Sequence, residues 1–158
     1  MNANPKYAGG CQCGAVRYHL AGPPRMLYVC HCRDCQKQSS SAFGMSLIVD
    51  RADIEFDRGT DRLKTWDTRG DDGLLKRCAF CADCGTRLYH GGETDHEPVS
   101  IKAGSLDDTG WLRPVAQIWL QSAQPWIDVD PAQYRCYAQE PDDEAALEAL
   151  WREQSREL

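Results

Sequence analysis

Apolar and polar residues alternate with a period of two along much of the chain. Val16, Tyr18 and Leu20 are separated by Arg17 and His19, the pattern of a half-buried strand. Ile54 and Phe56 flank Glu55 in the same way, and Gly59 follows as a turn. Apolar runs at 26–29, leading into Cys30, and at 43–49, closed by Asp50-Arg51, read as further short strands. Residues 63–68, 88–89, 99–103 and 115–120 are further strand candidates. Arg69-Gly70-Asp71-Asp72-Gly73 reads as a hairpin loop leading into Leu74-Leu75. Short strands spaced this way, with glycine-rich turns between them, predict a mainly antiparallel β domain.

Two stretches break the alternation. Residues 33–39 are short and polar and predict one or two helical turns. Residues 142–157 predict a longer helix, started by Pro141 and Asp142-Asp143, with Ala146, Leu147, Leu150 and Trp151 as one apolar stripe. That stripe predicts a C-terminal helix docked on the sheet. Residues 91–98, rich in glycine and acidic residues, read as the loop with most freedom.

Composition narrows the class. The chain has 158 residues, 42% hydrophobic and 27% charged, which suits one domain over 1–158 with a core at about 9–126. No apolar run approaches the ~20 residues of a membrane span. The start, Met1-Asn2-Ala3-Asn4-Pro5-Lys6, lacks a basic patch followed by an apolar stretch, so a cytoplasmic location is expected. The net charge of −6 argues against a nucleic-acid duplex or an anionic lipid surface as partner.

Cysteine changes the picture most. There are nine, an odd number, and seven fall in three tight groups. In a reducing compartment such clusters bind metal more often than they form bridges. The first group is Cys11-Gln12-Cys13-Gly14 and the third Cys81-Ala82-Asp83-Cys84-Gly85. Together Cys11, Cys13, Cys81 and Cys84 supply four thiolates, the ligand number of a closed structural zinc site. One ion there would clip the start of the chain to its middle and so contribute to folding. A thioredoxin-like redox pair wants its motif at a helix start in a βαβ setting, which residues 81–84 lack.

The second group, Cys30-His31-Cys32-Arg33-Asp34-Cys35, places three thiolates on a short piece of backbone. Three protein ligands leave one position of a tetrahedral ion open, as in catalytic zinc. His31 is an alternative fourth ligand, although neighbours in an extended segment point opposite ways, which turns its ring away. Cys78 and Cys136 read as ordinary semi-buried thiols, and His31, His90 and His96 as surface imidazoles available near the motifs.

At these residues the chain resembles the glutathione-dependent formaldehyde-activating enzyme family, also called the GFA or CENP-V-like family. The matching segments are residues 10–16, 30–37 and 80–86, then Ala103-Gly104-Ser105-Leu106-Asp107-Asp108 and Gln124-Pro125-Trp126. The resemblance implies an Mss4-like fold, a zinc-bound β roll. It implies a structural zinc on Cys11, Cys13, Cys81 and Cys84, and a second zinc on Cys30, Cys32 and Cys35 at the active site. It implies a carbon–sulfur lyase joining and parting glutathione and formaldehyde, the adduct being S-(hydroxymethyl)glutathione. Glutathione carries two carboxylates, for which Arg33, Lys37, Arg87 and Lys102 are the cations near the motifs, with Trp126 a candidate wall of the cleft. The rival reading is a non-catalytic, zinc-stabilised binding module of the same fold, which would need a fourth ligand such as His31 or Cys78 at the second site. A methionine-sulfoxide-reductase-like activity would need Cys136 as a reactive thiol and leaves the Cys30 group without a purpose.

Overall fold

Each expected strand has a counterpart in the computed structural model of the chain, which describes residues 5–70, 73–92, 94 and 96–156. Asp71 and Asp72 of the expected hairpin loop, Glu93 and Asp95 of the 91–98 loop, and Glu157 of the expected helix lie outside the described residues. The strands are β1 (Ala8–Gly10), β2 (Arg17–Leu20), β3 (Met26–Cys30), β4 (Gly44–Asp50), β5 (Ile54–Arg58) and β6 (Leu63–Arg69). They continue with β7 (Leu75–Cys81), β8 (Arg87–Gly91), β9 (Pro98–Lys102), β10 (Ala116–Ile118) and β11 (Arg135–Cys136). The helices are α1 (Arg33–Ser39) and α2 (Glu144–Ser155). The chain is therefore mainly β with a C-terminal helix, in keeping with an Mss4-like fold. It forms two units, Met1–Pro24 with Ile48–Gly110, and Arg25–Leu47 with Trp111–Leu158.

In the first unit β1, β2 and β5 make an antiparallel sheet in that order. Tyr18 and Leu20 of β2 are buried, while Arg17 and His19 are half-buried, as the alternation requires. Gly9 cannot be another residue here. A Cβ at that position would stand 2.6 Å from the Ser105 carbonyl oxygen and 2.7 Å from the Tyr18 ring. The Tyr18 hydroxyl shares a hydrogen bond of 2.8 Å with the Ser105 hydroxyl, which satisfies the one polar atom of an otherwise apolar buried ring. A second antiparallel run has the order β9-β8-β7-β6. β6 and β7 stay in register from Leu63 opposite Cys81 to Arg69 opposite Leu75. Gly73, at φ +78°, takes the left-handed backbone of the connection between them.

The second unit departs from the antiparallel expectation. β10 pairs in parallel with both β3 and β11, Ala116 lying opposite Tyr28 and opposite Arg135. A hairpin turn forces antiparallel pairing, but β3 and β10 are joined by a long stretch of chain, which leaves either direction open. β10 is also shorter than the 115–120 run, because Trp119 turns into the left-handed region at φ 59°. α1 covers the expected residues. α2 begins at Glu144, because the Asp143 carboxylate accepts a hydrogen bond from the Ala146 amide at 3.0 Å and caps it. Its buried residues are Leu147 and Trp151, with Trp151 against Trp111 at 6.2 Å between ring centroids. Ala146, expected in the apolar stripe, is exposed, since the contact face centres on Leu147 and Trp151. Arg25 donates to the half-buried Glu148 carboxylate at 2.7 Å beside that face. No helix among the described residues is long and apolar enough to cross a membrane.

Candidate metal centres

The first cysteine group sits on a turn that follows β1. The Cys11 amide donates to the Val16 carbonyl at 3.1 Å and the Gly14 amide to the Cys11 carbonyl at 3.0 Å, folding the segment into a knuckle. The third group repeats the device at the end of β7, where the Gly85 amide donates to the Cys81 carbonyl at 2.8 Å. Gly14 and Gly85 both take φ +75°, a conformation that side chains resist, so each knuckle depends on its glycine. The two knuckles meet. The sulfurs of Cys11, Cys13, Cys81 and Cys84 all lie within 4.8 Å of one another, with Cys11 and Cys13 at 3.5 Å. The Thr86 hydroxyl beside Cys84, at 3.2 Å, helps hold that thiol down to about 6. Four converging soft donors suit a closed tetrahedral metal site.

The second group lies in the second unit, where β3 runs into α1. Cys30 ends the strand, and Cys32, with extended backbone at φ −62° and ψ 156°, is the cap residue of α1. Its sulfur accepts from the Cys35 amide at 3.4 Å, which turns both sulfurs to one side. Cys30, Cys32 and Cys35 offer three sulfurs within 4.8 Å of one another. Cys30 and Cys35 are buried and Cys32 half-buried. The neighbouring thiols of Cys30 and Cys35 hold the Cys32 thiol far below its usual range, while the crowding of Cys32 and Cys35, together with burial, pushes Cys30 far above. Three sulfurs this close become thiolates together only around a cation. Gly44 leaves room for this arrangement, since a Cβ there would stand 3.3 Å from the Cys35 Cβ and 3.7 Å from its sulfur. The donor chemistry of both groups therefore fits a metal ion.

His31 does not join the cluster. Its ring points away from the sulfurs, as the extended backbone predicts, but it is fully buried rather than a surface imidazole. Nε2 shares a 2.7 Å hydrogen bond with the Gln117 amide oxygen, and the ring packs edge-on against Phe43 at 5.6 Å. Parallel pairing with β10 supplies both the cover and the partner. His96 is exposed and His90 half-buried. Cys78 is fully buried in β7 and stands outside both groups. Cys136 is exposed rather than semi-buried, because the two-residue β11 covers neither of its faces.

Along the outer side of α1 runs an open groove of about 330 Å³, lined by Arg33, Gln36, Lys37, Ser40, Gln124 and Trp126 among others. Trp126 is 72% exposed, so it serves the groove and not the core. Gln36, which the motif reading passed over, is the hub beneath it. Its amide nitrogen donates to the His31 carbonyl at 2.7 Å and the Ser122 carbonyl at 2.9 Å. Its amide oxygen accepts from Arg33 at 2.6 Å and from Gln124 at 3.0 Å. Of the four cations singled out earlier, only Arg33 and Lys37 line this groove. Arg87 and Lys102 belong to the first unit, where both act on Cys78.

Known proteins resemble this chain. A curated protein of Halomonas elongata, provisionally named a glutathione-dependent formaldehyde-activating enzyme, is 28% identical over 145 residues, spanning 87% of this chain and 90% of that one. A Rhodobacter sphaeroides protein of known crystal structure superposes with a TM-score of 0.50 at 20% identity, over 66% of this chain and 91% of that one, a likeness of fold. The family model for glutathione-dependent formaldehyde-activating enzyme matches residues 6–122, a span that holds all three cysteine groups. The chain belongs to the glutathione-dependent formaldehyde-activating enzyme family.

Proposed function

We propose that the chain is a zinc-dependent carbon–sulfur lyase acting on the adduct of a small thiol and an aldehyde, with S-(hydroxymethyl)glutathione as the model substrate. The observation that carries this reading is the cluster of Cys30, Cys32 and Cys35, three converging sulfurs and no fourth ligand among the described residues, at the start of the helix that lines the groove. In this reading Cys11, Cys13, Cys81 and Cys84 hold a structural zinc, and Cys30, Cys32 and Cys35 hold the second. An ion on three protein ligands keeps one position open and favours the thiolate form of a thiol whose free pKa is about 8.5.

The chain's own residues do the rest. Arg33 and Lys37 meet the carboxylates of a glutathione-like thiol in the groove. Gln36 fixes the Arg33 guanidinium from below, so the fork is oriented before substrate arrives. Trp126 gives the peptide a flat apolar wall. Gln117 holds His31, and Gln36 holds the His31 carbonyl, which together fix the backbone between Cys30 and Cys32. In the lyase direction the carbon–sulfur bond of the adduct breaks with its electron pair going to sulfur. The hydroxyl proton leaves to water and the carbonyl of formaldehyde forms. Joining is the reverse. None of the nine cysteines is in a disulfide, which suits a reducing, cytoplasmic setting. The binding-module reading requires a fourth ligand, and neither His31 nor Cys78 lies with the three sulfurs.

Cys32→Ser is the direct test. Zinc content should fall from two ions to one per chain with the circular dichroism spectrum retained, and thiol–aldehyde exchange should be lost. A Cys32→Ser protein with two zinc ions and full exchange activity sinks the proposal.

A further inference from the structure

The first unit carries a second polar cluster, away from the sulfurs that gather at its knuckles. It is built by strand register. Cys78 of β7 lies opposite His90 of β8, and His90 lies opposite Ser100 of β9, so the three share one face of the sheet. Lys102, two residues beyond Ser100, falls on that face too. Arg87 would not, except that the register between β7 and β8 shifts between Ala79 and Phe80. The shift sets Arg87 opposite Phe80, two residues from Cys78, and so turns the guanidinium onto the same face. Burial pushes the Cys78 thiol up, and the charges of Arg87 and Lys102 and a hydrogen bond from Arg87 oppose that.

Three donor atoms on this face, two of Arg87 and one of Ser100, have no acceptor among the described residues. Nε and Nη2 of Arg87 are both shut off from solvent and have no hydrogen-bond partner among the described residues. The Ser100 hydroxyl is in the same state, on a residue only 5% exposed. Arg77, on the neighbouring strand, shows what that guanidinium edge is for. It uses the same two nitrogens, Nε and Nη2, to take both oxygens of Asp67 at 3.0 and 2.9 Å. Arg87 presents the same two nitrogens with no carboxylate of the described residues on them. Donor atoms shut off from solvent without an acceptor are costly, and a guanidinium fork left open in this way fits one kind of ligand closely.

We propose that Arg87 and Ser100, with Lys102 adding charge, form a buried binding site for a small oxyanion, a carboxylate or a phosphate group. The Arg87 fork takes two of its oxygens, and the Ser100 hydroxyl donates to one. This site is separate from the lyase reading and stands or falls without it.

The test uses the full, zinc-loaded chain with inorganic phosphate and with acetate as probes, at ionic strength matched with chloride. Thermal unfolding of the native protein should shift upward with rising phosphate or acetate, as binding to the folded state demands. Titration calorimetry should show the affinity falling roughly tenfold or more in Arg87→Gln and several-fold in Ser100→Ala. Arg87→Gln should also unfold at the same or a higher temperature than the native chain in anion-free buffer, since it removes two donor atoms that have no acceptor among the described residues. If that variant does not fold, Ser100→Ala carries the test. Glutathione that displaces bound phosphate marks a thiol substrate's carboxylate as the natural occupant. Phosphate binding that glutathione leaves untouched marks a distinct phosphate or carboxylate ligand. No shift beyond the chloride control, or native affinity in both variants, overturns the proposal.

Discussion

Replacing Gln36 with Met separates the groove from the metal cluster's support with little change of volume. Four hydrogen bonds go at once. Two of them leave groups that water reaches easily, the Arg33 guanidinium and the Gln124 amide, whose loss costs ~0.5–1 kcal/mol each at most. The other two leave carbonyls that do not resolvate as freely. The His31 carbonyl is in a buried bond of 2.7 Å and the Ser122 carbonyl in a part-buried one of 2.9 Å. An acceptor stranded in that way costs about 1–3 kcal/mol. Some of this is offset by the apolar burial of Met, so a net destabilisation of roughly 2–4 kcal/mol is expected. Urea unfolding of the zinc-loaded protein measures it. The functional effect has its own signature. Arg33 loses the bond that orients it, so KM for glutathione should rise more than kcat falls. An alternative in which Gln36 only stabilises the fold would lower the unfolding midpoint and leave KM alone. That result, or an unchanged midpoint, refutes the role given to Gln36.

Other perturbations probe other parts. Cys81→Ser opens the clip between segments whose closest cross-linked pair, Cys13 and Cys81, is 68 residues apart. Releasing a loop of that size costs about 4 kcal/mol by the chain-entropy estimate, so chelator-free unfolding should show a loss of at least that order. Equal midpoints for Cys81→Ser and the native chain count against a metal clip. Trp126→Ala should leave the unfolding midpoint within about 0.5 kcal/mol of native, as for an exposed residue, and raise KM for glutathione. An unchanged KM removes Trp126 from the groove's function. The Arg17 guanidinium beside Asp107 holds that carboxyl below the usual carboxylate range. Its contribution is present above the unfolded pKa of about 3.9 and is lost as pH falls through the lower, folded value. Both side chains are partly exposed, so the effect is small. Asp107→Asn should flatten the acid limb of the stability profile slightly and leave neutral activity unchanged.

What the sequence carries is local. The two-residue period at Val16, Tyr18 and Leu20 is a property of one strand and its own neighbours, and it matches the burial seen in β2. The knuckles likewise rest on a cysteine spacing and a glycine that can be read in five residues. The features that escaped reading depend on partners far along the chain. Nothing next to His31 announces that β10, starting 85 residues later, pairs in parallel and brings Gln117 to its ring. Gln36 reads as one more polar position on a short polar helix, and its role appears only when Ser122 and Gln124 arrive beside it. Arg87 is a strand residue whose facing is set by a register shift, which shows in pairing and not in composition. The α2 stripe was legible in type, but Leu147 and Trp151 centre it, so Ala146 falls outside the contact by a fraction of a turn.

In the proposed function, a metal held by Cys30, Cys32 and Cys35 makes this chain a catalyst of thiol–aldehyde exchange. Exchange NMR on an equilibrium mixture of glutathione and formaldehyde tests it directly, with native, metal-stripped and Cys32→Ser proteins side by side. Faster interconversion is expected with the native zinc-loaded chain only, restored to the stripped protein by added zinc. Interconversion at the uncatalysed rate with two zinc ions bound, or equal acceleration by the stripped protein, contradicts it.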